Sequence, residues 1–157
     1  MDKIVTVAPN AVIVGDVVLE NNVSIWYGAV LRGDSGTIRV GEDSNIQDNC
    51  IVHEATTVGK GCSIGHGAIL HGCTVGDHCV VGMGAILLNG AVLAEHCLVG
   101  AGAVVTGKTN APAGSLLLGN PATVVKPLTP EQIDYIHTDA QNYVKLSQEQ
   151  LPRWEKA

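Results

Sequence analysis

The amino-acid sequence predicts an all-β solenoid, and three features indicate it: a six-residue aliphatic repeat, abundant glycine and few aromatic residues. The chain has 157 residues, of which 19 are Gly, 3% are aromatic and none is Phe. A core without Phe must be filled with Val, Ile, Leu and Ala, and many glycines indicate many tight turns. A chain of this length is bounded to a single domain of ordinary size.

The aliphatic repeat shifts register twice, because three extra residues follow Leu31 and one residue is lost after Leu70. A small residue, such as Cys50 or Thr74, usually follows each aliphatic residue four positions later. Three such hexads form one triangular coil of about 18 residues in a parallel β-helix, and coils stack at about 4.8 Å. The aliphatic positions are Val7, Ile13, Leu19, Ile25, Leu31, Val40, Ile46, Val52, Val58, Ile64, Leu70, Val75, Val81, Leu87, Leu93, Val99 and Val105.

The C-terminal region departs from the repeat. Residues 119–122 (Gly-Asn-Pro-Ala) predict a turn that leaves the solenoid. Thr129 is then a helix N-cap, followed by Pro at the first helical position and by Gln132 as the capping-box partner. Apolar residues recur at helical spacing and predict a face packed along the solenoid: Ile133, Ile136, Ala140, Tyr143 and Val144. We expect a β-helix over 1–126, and a helix with a loose polar tail over 127–157 in the same structural domain.

Composition and charge exclude several classes of partner. The chain has 9 Lys+Arg and 15 Asp+Glu, a formal charge of -6, which disfavours nucleic acid. No apolar run approaches the roughly 18 residues of a membrane span, and the N-terminus lacks a secretory apolar region. Five Cys without paired CxxC spacing disfavour a disulfide framework and a thiolate zinc site. We expect a cytoplasmic protein that binds neither nucleic acid nor membrane.

The spacing of His53, His66 and His71 predicts a metal site. His53 and His71 are one coil of about 18 residues apart with no register shift between them, so they stack on one corner about one strand spacing apart. His66 precedes His71 by five residues, roughly 16 Å at about 3.3 Å per extended residue. A second copy must therefore supply His66, and a head-to-tail contact between corners closes after three subunits. Three His with an open fourth position are typical of catalytic zinc, whereas the alternative is an exposed imidazole ladder.

The same arithmetic places polar residues beside these histidines. Asp48 lies one coil below His66, where its carboxylate accepts the other imidazole proton, and Gln47 is next to it. Arg32 falls one coil below His53 and faces Asp48 of the neighbouring subunit. The alternative is a solvated surface pair, worth under about 1 kcal/mol.

Two further sets of residues each allow both a functional and a purely structural interpretation. Met83 and Leu88 lie one coil above the metal site, as an apolar wall for a small apolar substrate or as ordinary packing. His78 and His96 are again one coil apart but lack a third ligand in the sequence, which favours a surface ladder. His137 falls on the predicted helix and carries no signal.

Three segments resemble the gamma-class carbonic anhydrase family of the hexapeptide-repeat superfamily. They are residues 24–34 (Ser-Ile-Trp-Tyr-Gly-Ala-Val-Leu-Arg-Gly-Asp), 45–53 (Asn-Ile-Gln-Asp-Asn-Cys-Ile-Val-His) and 65–72 (Gly-His-Gly-Ala-Ile-Leu-His-Gly). The resemblance covers nearly the whole chain. It implies a left-handed β-helix, a homotrimer, and zinc, or iron or cobalt, between subunits. It also implies a metal-bound hydroxide that attacks CO2 to give bicarbonate.

The resemblance implies roles for five residues around the metal. His53, His66 and His71 match the ligands, with His66 coming from the adjacent subunit. Gln47 and Asp48 match residues that form hydrogen bonds near the metal-bound water.

The resemblance also implies roles further out, and here the chain departs from the family. Arg32 and Asp34 match a structural Arg-x-Asp at the subunit interface, and Tyr143 resembles a tyrosine that leans over the site. Asp34 is followed by Ser35 instead of an acidic residue, and the acidic loop of the family is missing. Glu54, beside His53, is then the nearby residue left to carry a proton, so we expect CO2 hydration to be weak or absent.

Two other functions fit the repeat. One is an acyltransferase that takes acyl-CoA and uses one His as general base on an acceptor. The other is a non-catalytic trimeric scaffold that binds metal. The three-His set favours the hydratase, since a transferase does not need it.

Overall fold

Each hexad of the repeat forms one short strand and one turn, and the coils stack into a three-sided column. The computed structural model describes residues 2–156. It contains eighteen strands and one helix. The strands are β1 (Val5–Val7), β2 (Val12–Leu19), β3 (Val23–Ile25), β4 (Val30–Val40), β5 (Asn45–Ile46), β6 (Ile51–His53), β7 (Thr56–Val58), β8 (Ser63–Ile64), β9 (Ile69–His71), β10 (Thr74–Val75), β11 (Val80–Val81), β12 (Ile86–Leu87), β13 (Val92–Leu93), β14 (Leu98–Val99), β15 (Val104–Val105), β16 (Asn110–Ala111), β17 (Ser115–Gly119) and β18 (Ala122–Pro127).

Two sheets cover the three faces. One face is the sheet β1-β3-β5-β8-β11-β14-β17-β18, and the other two share the sheet β15-β12-β9-β6-β4-β7-β10-β13-β16, with β2 paired to β4. The shared sheet turns a corner within β4, because Val30–Arg32 pairs with β6 and Ile38–Val40 pairs with β7. All pairings within the coils are parallel, whereas β17 and β18 form an antiparallel hairpin that ends the column.

The register of the strands confirms the coil interval and its two shifts. Val80 pairs with Leu98, one regular coil of three hexads further along the chain. Ser24 pairs with Asn45 across the insertion, which lengthens that coil, and Ser63 pairs with Val80 across the deletion, which shortens that one. The predicted all-β solenoid of hexapeptide repeats is therefore confirmed.

The aliphatic positions of the repeat form the core. Sixteen of the seventeen are buried, and Ile13 is half-buried because it lies on the first coil with no complete coil below it. The prediction for Thr74 is wrong, since Thr74 is exposed and Cys73 is buried in its place. The residue lost after Leu70 shortens that hexad, so the inward position falls one residue earlier.

The C-terminal helix α1 (Pro130–Gln150) begins as predicted. Thr129 is the N-cap, and its side chain accepts from Gln132 N while the Gln132 side chain accepts from Thr129 N. Ile136, Ala140 and Ser147 are the buried residues of α1, which contacts β3, β5 and β8 on one face of the column. Across residues 2–156, no helix has the length and apolarity needed to cross a membrane.

The prediction of a loose polar tail is wrong. Trp154 packs against the core, and its backbone N–H donates to Val5 O at 2.8 Å. Val7 N donates to Pro152 O at 3.1 Å, and Arg153 forms an isolated β-bridge with Thr6. The chain end therefore covers part of the open first coil.

Replacing an inward residue of the column should cost far more stability than replacing its outward neighbour. Leu93→Ala removes a side chain that is 1% exposed, and should lower the free energy of unfolding by about 2–5 kcal/mol. Val92→Ala, at a position 38% exposed in the same strand, should cost under about 1 kcal/mol. Urea denaturation of both variants measures the difference, and equal losses would contradict the inward and outward assignment.

Candidate metal centre

His53 and His71, here called the imidazole pair, end β6 and β9 on the same corner. They are register partners in adjacent coils. Nδ1 of His53 lies 3.2 Å from Nε2 of His71, and the ring centroids are 5.0 Å apart. Both residues are half-buried. The structure therefore brings these two nitrogens together as the coil interval predicts.

The outer nitrogen of each ring is held by an oxygen. Nε2–H of His53 donates to Asp34 Oδ1 at 2.8 Å, and Nδ1–H of His71 donates to Asn89 Oδ1 at 2.7 Å. Neither oxygen has a proton to give in return, so each ring keeps its proton on the outer nitrogen. The two inner nitrogens then face each other with lone pairs, an arrangement that a cation between them stabilises.

The spacing of the imidazole pair fits a transition-metal ion. Zn–N bonds are about 2.0–2.1 Å, so two nitrogens on one tetrahedral ion lie about 3.3 Å apart. The observed separation is 3.2 Å. Oxygen acceptors on the outer nitrogens are also the usual second partners of metal-binding histidines. The residues present therefore fit such an ion.

Asp34 joins His53 to Arg32. Its Oδ2 accepts from Arg32 Nη1 at 2.5 Å, and Arg32 is the register partner of His53. The hydrogen bond from His53, with a smaller effect of the Arg32 guanidinium, holds the pKa of Asp34 below its usual range. Asp34 is thus an ionised acceptor at neutral pH. Arg32 is engaged within its own chain, and its contact with Asp48 of another subunit stays a prediction.

Glu54 lies beside the imidazole pair. Its Oε1 is 4.0 Å from Nδ1 of His53. Within residues 2–156, His53, Glu54 and His71 are the group of three potential ligands whose donor atoms all lie within 4.8 Å of one another. A carboxylate is therefore within reach of the same point as the two imidazoles.

His66 stands on a different corner and does not join this group. It follows β8 in the other sheet, and its Nδ1–H donates to Asp48 Oδ2 at 2.8 Å. Its side chain is 48% exposed. Asp48 accepts the Nδ1 proton, so the lone pair of the His66 ring is on Nε2.

A groove between α1 and the column lies beside His66. It has a volume of about 460 Å³, and its lining includes Gln47, Met83 and Tyr143. Gln47 is 6% exposed, and its Nε2 donates to Asn45 Oδ1 at 3.0 Å, which fixes the orientation of its amide. The groove places the predicted Gln47 and Tyr143 next to His66 but not next to the imidazole pair.

Tyr143 is held by aromatic packing and stays protonated. Its ring packs edge-on against Trp26, with centroids 5.4 Å apart. Burial, with a smaller effect of Asp139, raises the pKa of Tyr143 to about 12. Its hydroxyl can therefore form hydrogen bonds at neutral pH but cannot act as a phenolate base.

The residues predicted to lie above the metal site are exposed. Met83 is 60% and Leu88 is 40% exposed, so within one chain they do not form a closed wall.

The sequence analysis missed Asn89, which accepts a hydrogen bond from His71, although Asn89 follows His71 by one regular coil interval. Burial raises the pKa of Cys73 to about 12, which keeps it a thiol and makes it core rather than a ligand.

The coils and the imidazole pair define a hexapeptide-repeat protein with a candidate metal centre. Residues 72–107 match the family "Bacterial transferase hexapeptide (six repeats)". A crystal structure of a hexapeptide transferase family protein from Anaplasma phagocytophilum matches with a TM-score of 0.83 and 41% identity, over 95% of this chain and 98% of that one.

Two curated relatives are more specific. The chain is 50% identical to a probable carbonic anhydrase of Methanocaldococcus jannaschii, over 94% of its own length and 96% of that protein. It is 47% identical to mitochondrial gamma carbonic anhydrase 2 of Arabidopsis thaliana, over 94% of its own length but 57% of the plant protein. The chain therefore belongs to the gamma carbonic anhydrase-like family of hexapeptide-repeat proteins.

The hydrogen bonds of the imidazole pair predict its tautomers in metal-free protein. The proton should lie on Nε2 of His53 and on Nδ1 of His71, as long-range ¹H–¹⁵N correlation spectra can show. Asn89→Ala removes the acceptor at Nδ1, and the His71 proton should then move to Nε2 and donate to His53. Asn110→Ala, an exposed asparagine elsewhere, should leave the spectrum unchanged. Protonated Nε2 of His71 in the unsubstituted protein would contradict the assignment.

Proposed function

We propose that this chain is a metal-dependent hydratase of the gamma carbonic anhydrase type, converting CO2 to bicarbonate in the cytoplasm. His53 and His71 of one chain and His66 of an adjacent copy would hold zinc, or iron or cobalt. The observation that carries the proposal is the pair of ring nitrogens 3.2 Å apart, with both outer nitrogens bound to oxygen acceptors. An ion held there would supply Lewis acidity, which lowers the pKa of water toward neutrality.

A homotrimer accounts for the position of His66. Its Nε2 lone pair is on a different corner from the imidazole pair, and Asp48 fixes its tautomer. A contact that brings the His66 corner of one copy against the imidazole pair of the next is head-to-tail, and it closes after three copies of a triangular column. His53 and His71 of one copy and His66 of the next would then hold the ion, and three protein ligands are typical of a catalytic metal site.

Gln47 and Tyr143 would orient the substrate from the His66 side. The Gln47 amide is fixed by Asn45, and its side chain borders the groove beside His66. A fixed amide can hold the reacting water or bicarbonate through hydrogen bonds. Tyr143 would contribute a hydrogen bond from its hydroxyl, since its raised pKa keeps the proton in place.

Glu54 would carry the proton that hydration releases. Its carboxylate is 4.0 Å from Nδ1 of His53, and it can pass a proton to buffer in solution. Asp34 is a poorer carrier, because His53 and Arg32 both stabilise its ionised form. Arg32 would hold Asp34, and through it His53, in position.

An acyltransferase that takes acyl-CoA is the second candidate. It is favoured by the repeat family of residues 72–107 and by the transferase description of the Anaplasma phagocytophilum relative. It does not account for the imidazole pair, because general-base catalysis requires only one histidine, with one ring nitrogen free to accept a proton.

Substitution of His71 should remove the ion of the imidazole pair together with the activity. His71→Ala should lose about one ion per chain and lower CO2 hydration at least about 10²-fold, since two imidazoles and water hold an ion less well than three imidazoles. Thr106→Ala, two coils further along the same face, is the matched control. The measurements are elemental analysis of anaerobically purified protein and stopped-flow CO2 hydration.

The same preparation separates the alternatives. Full metal occupancy in His71→Ala would refute the ligand assignment. Coenzyme A retained on the purified protein, without metal, would favour the acyltransferase. Metal without hydration or acyl transfer would leave the non-catalytic scaffold.

Substitution of Glu54 should slow proton export without slowing hydration itself. Glu54→Gln should lower kcat about 10²-fold and leave kcat/KM for CO2 unchanged, and added imidazole buffer should restore kcat. Glu149→Gln, an exposed glutamate on α1, is the control. A parallel fall in kcat/KM that buffer does not rescue would show that Glu54 acts on the metal or the fold.

A further inference from the structure

A second group of three imidazoles lies where α1 meets the column. His78 and His96 come from adjacent coils, and His137 comes from α1. The ring centroids are 5.2 Å apart for His78 and His96, 4.5 Å for His78 and His137, and 5.2 Å for His96 and His137. Nε2 of His96 lies 3.1 Å from Nε2 of His137. The helix thus supplies the third histidine that the sequence of the column lacks.

The backbone fixes the direction of the two column histidines. His78 has φ 54° and His96 has φ 55°, and each occupies the same turn position of its coil as Asn22 and Asp43 do in earlier coils. The Nδ1–Cε1 edge of the His78 ring lies against Gly61, where an added Cβ would come 2.4 Å from Nδ1. Nε2 of His78 therefore lies farther from Gly61 than Nδ1 and Cε1 do.

Hydrogen bonding accounts for the contact of His96 with His137 but not for the position of His78. Within residues 2–156, Nδ1 of His78 is buried and has no hydrogen-bond partner. In the part of the chain that the structure describes, the other two rings share the hydrogen bond between His96 and His137, and none of the three rings is bonded to a carboxylate. The neighbouring cavity of about 50 Å³ is lined by Glu42, Asp43 and Lys60 among others, so carboxylates outnumber ammonium groups there.

We propose that His78, His96 and His137 bind one divalent transition-metal ion that prefers imidazole ligands, such as zinc or nickel, and that this ion fastens α1 to the column. Three imidazoles on one tetrahedral ion have ring centroids about 5 Å apart, since the ion lies about 3.2 Å from each centroid. All three observed separations are near this value. The His96–His137 nitrogens are also near the separation of about 3.3 Å expected for two ligands of one ion.

One rearrangement completes the site. In the group of His53, Glu54 and His71, one donor atom from each residue lies within 4.8 Å of the other two. The donor atoms of His78, His96 and His137 do not all lie this close together. Nε2 of His96 and Nε2 of His137 are already at the spacing expected for two ligands of one ion. The residue that must move is therefore His78, whose ring turns so that Nε2 points toward them. Three protein ligands leave a fourth position for water or for an exchanging ligand. The site is separate from the imidazole pair and does not depend on the proposed hydratase activity.

Zinc binding by variants of the full chain tests the proposal. In the His71→Ala background, which removes the first site, the chain should still bind about one zinc ion, and zinc should raise its melting temperature. Adding His137→Gln, or separately His96→Asn, should abolish both effects. Asn suits position 96 because it tolerates positive φ, as Asn22 does at the equivalent turn. Thr138→Gln, the exposed neighbour of His137, is the matched control and should retain both effects.

The readouts are the number of zinc ions per chain after equilibrium dialysis and the shift in melting temperature. Circular dichroism establishes that each variant is folded. Equal zinc content in the His137→Gln, His96→Asn and Thr138→Gln variants would overturn the proposal, as would no zinc in the His71→Ala chain. If His71→Ala keeps the zinc of the unsubstituted protein while His137→Gln lowers it, the second site stands and the proposed hydratase centre fails.

Discussion

Parallel backbone hydrogen bonds between successive coils hold residues one coil interval apart side by side, and each candidate site depends on this constraint. His53 and His71 are such a pair. Asp48 and His66 repeat the relation on another corner. The strand spacing of about 4.8 Å puts side chains of neighbouring coils within hydrogen-bond reach or within reach of one ion. A functional group placed on one coil therefore finds its partner on the next.

Interruptions of the repeat adjust this arrangement where the chemistry needs it. The insertion in β4 lets Asp34 reach Nε2 of His53 from the next coil, while Arg32 remains in register. The deletion after Leu70 places Leu88 beside His71 by backbone register, yet Asn89 supplies the hydrogen bond from its side chain. A regular coil of 18 residues would have placed Ser35, and not Asp34, beside His53.

The sequence predicts what the coil interval determines and misses what depends on packing between distant segments. It predicts the solenoid, the imidazole pair and the contact of Asp48 with His66, because each follows from counting along a periodic chain. It misses Trp154 on the first coil and His137 beside His96, because nothing in the repeat fixes where the chain end and α1 lie. Apolar surface left open by the column decides those positions, and that surface exists only once the coils have stacked.

The hydrogen bonds around the two groups of histidines imply different chemistry. The outer nitrogens of His53 and His71 have oxygen acceptors, Asp34 and Asn89, which fix the tautomers and make the inner nitrogens better donors to a metal. The rings of His78, His96 and His137 have no such acceptors within residues 2–156, so their orientation rests on turns and helix packing. An oriented, basic ligand set suits a reactive centre, because the ion must keep its geometry while substrate exchanges. A set without acceptors orients its ligands less and binds more weakly, so the ion proposed at these rings would stabilise the contact of α1 with the column less than a fully supported site would.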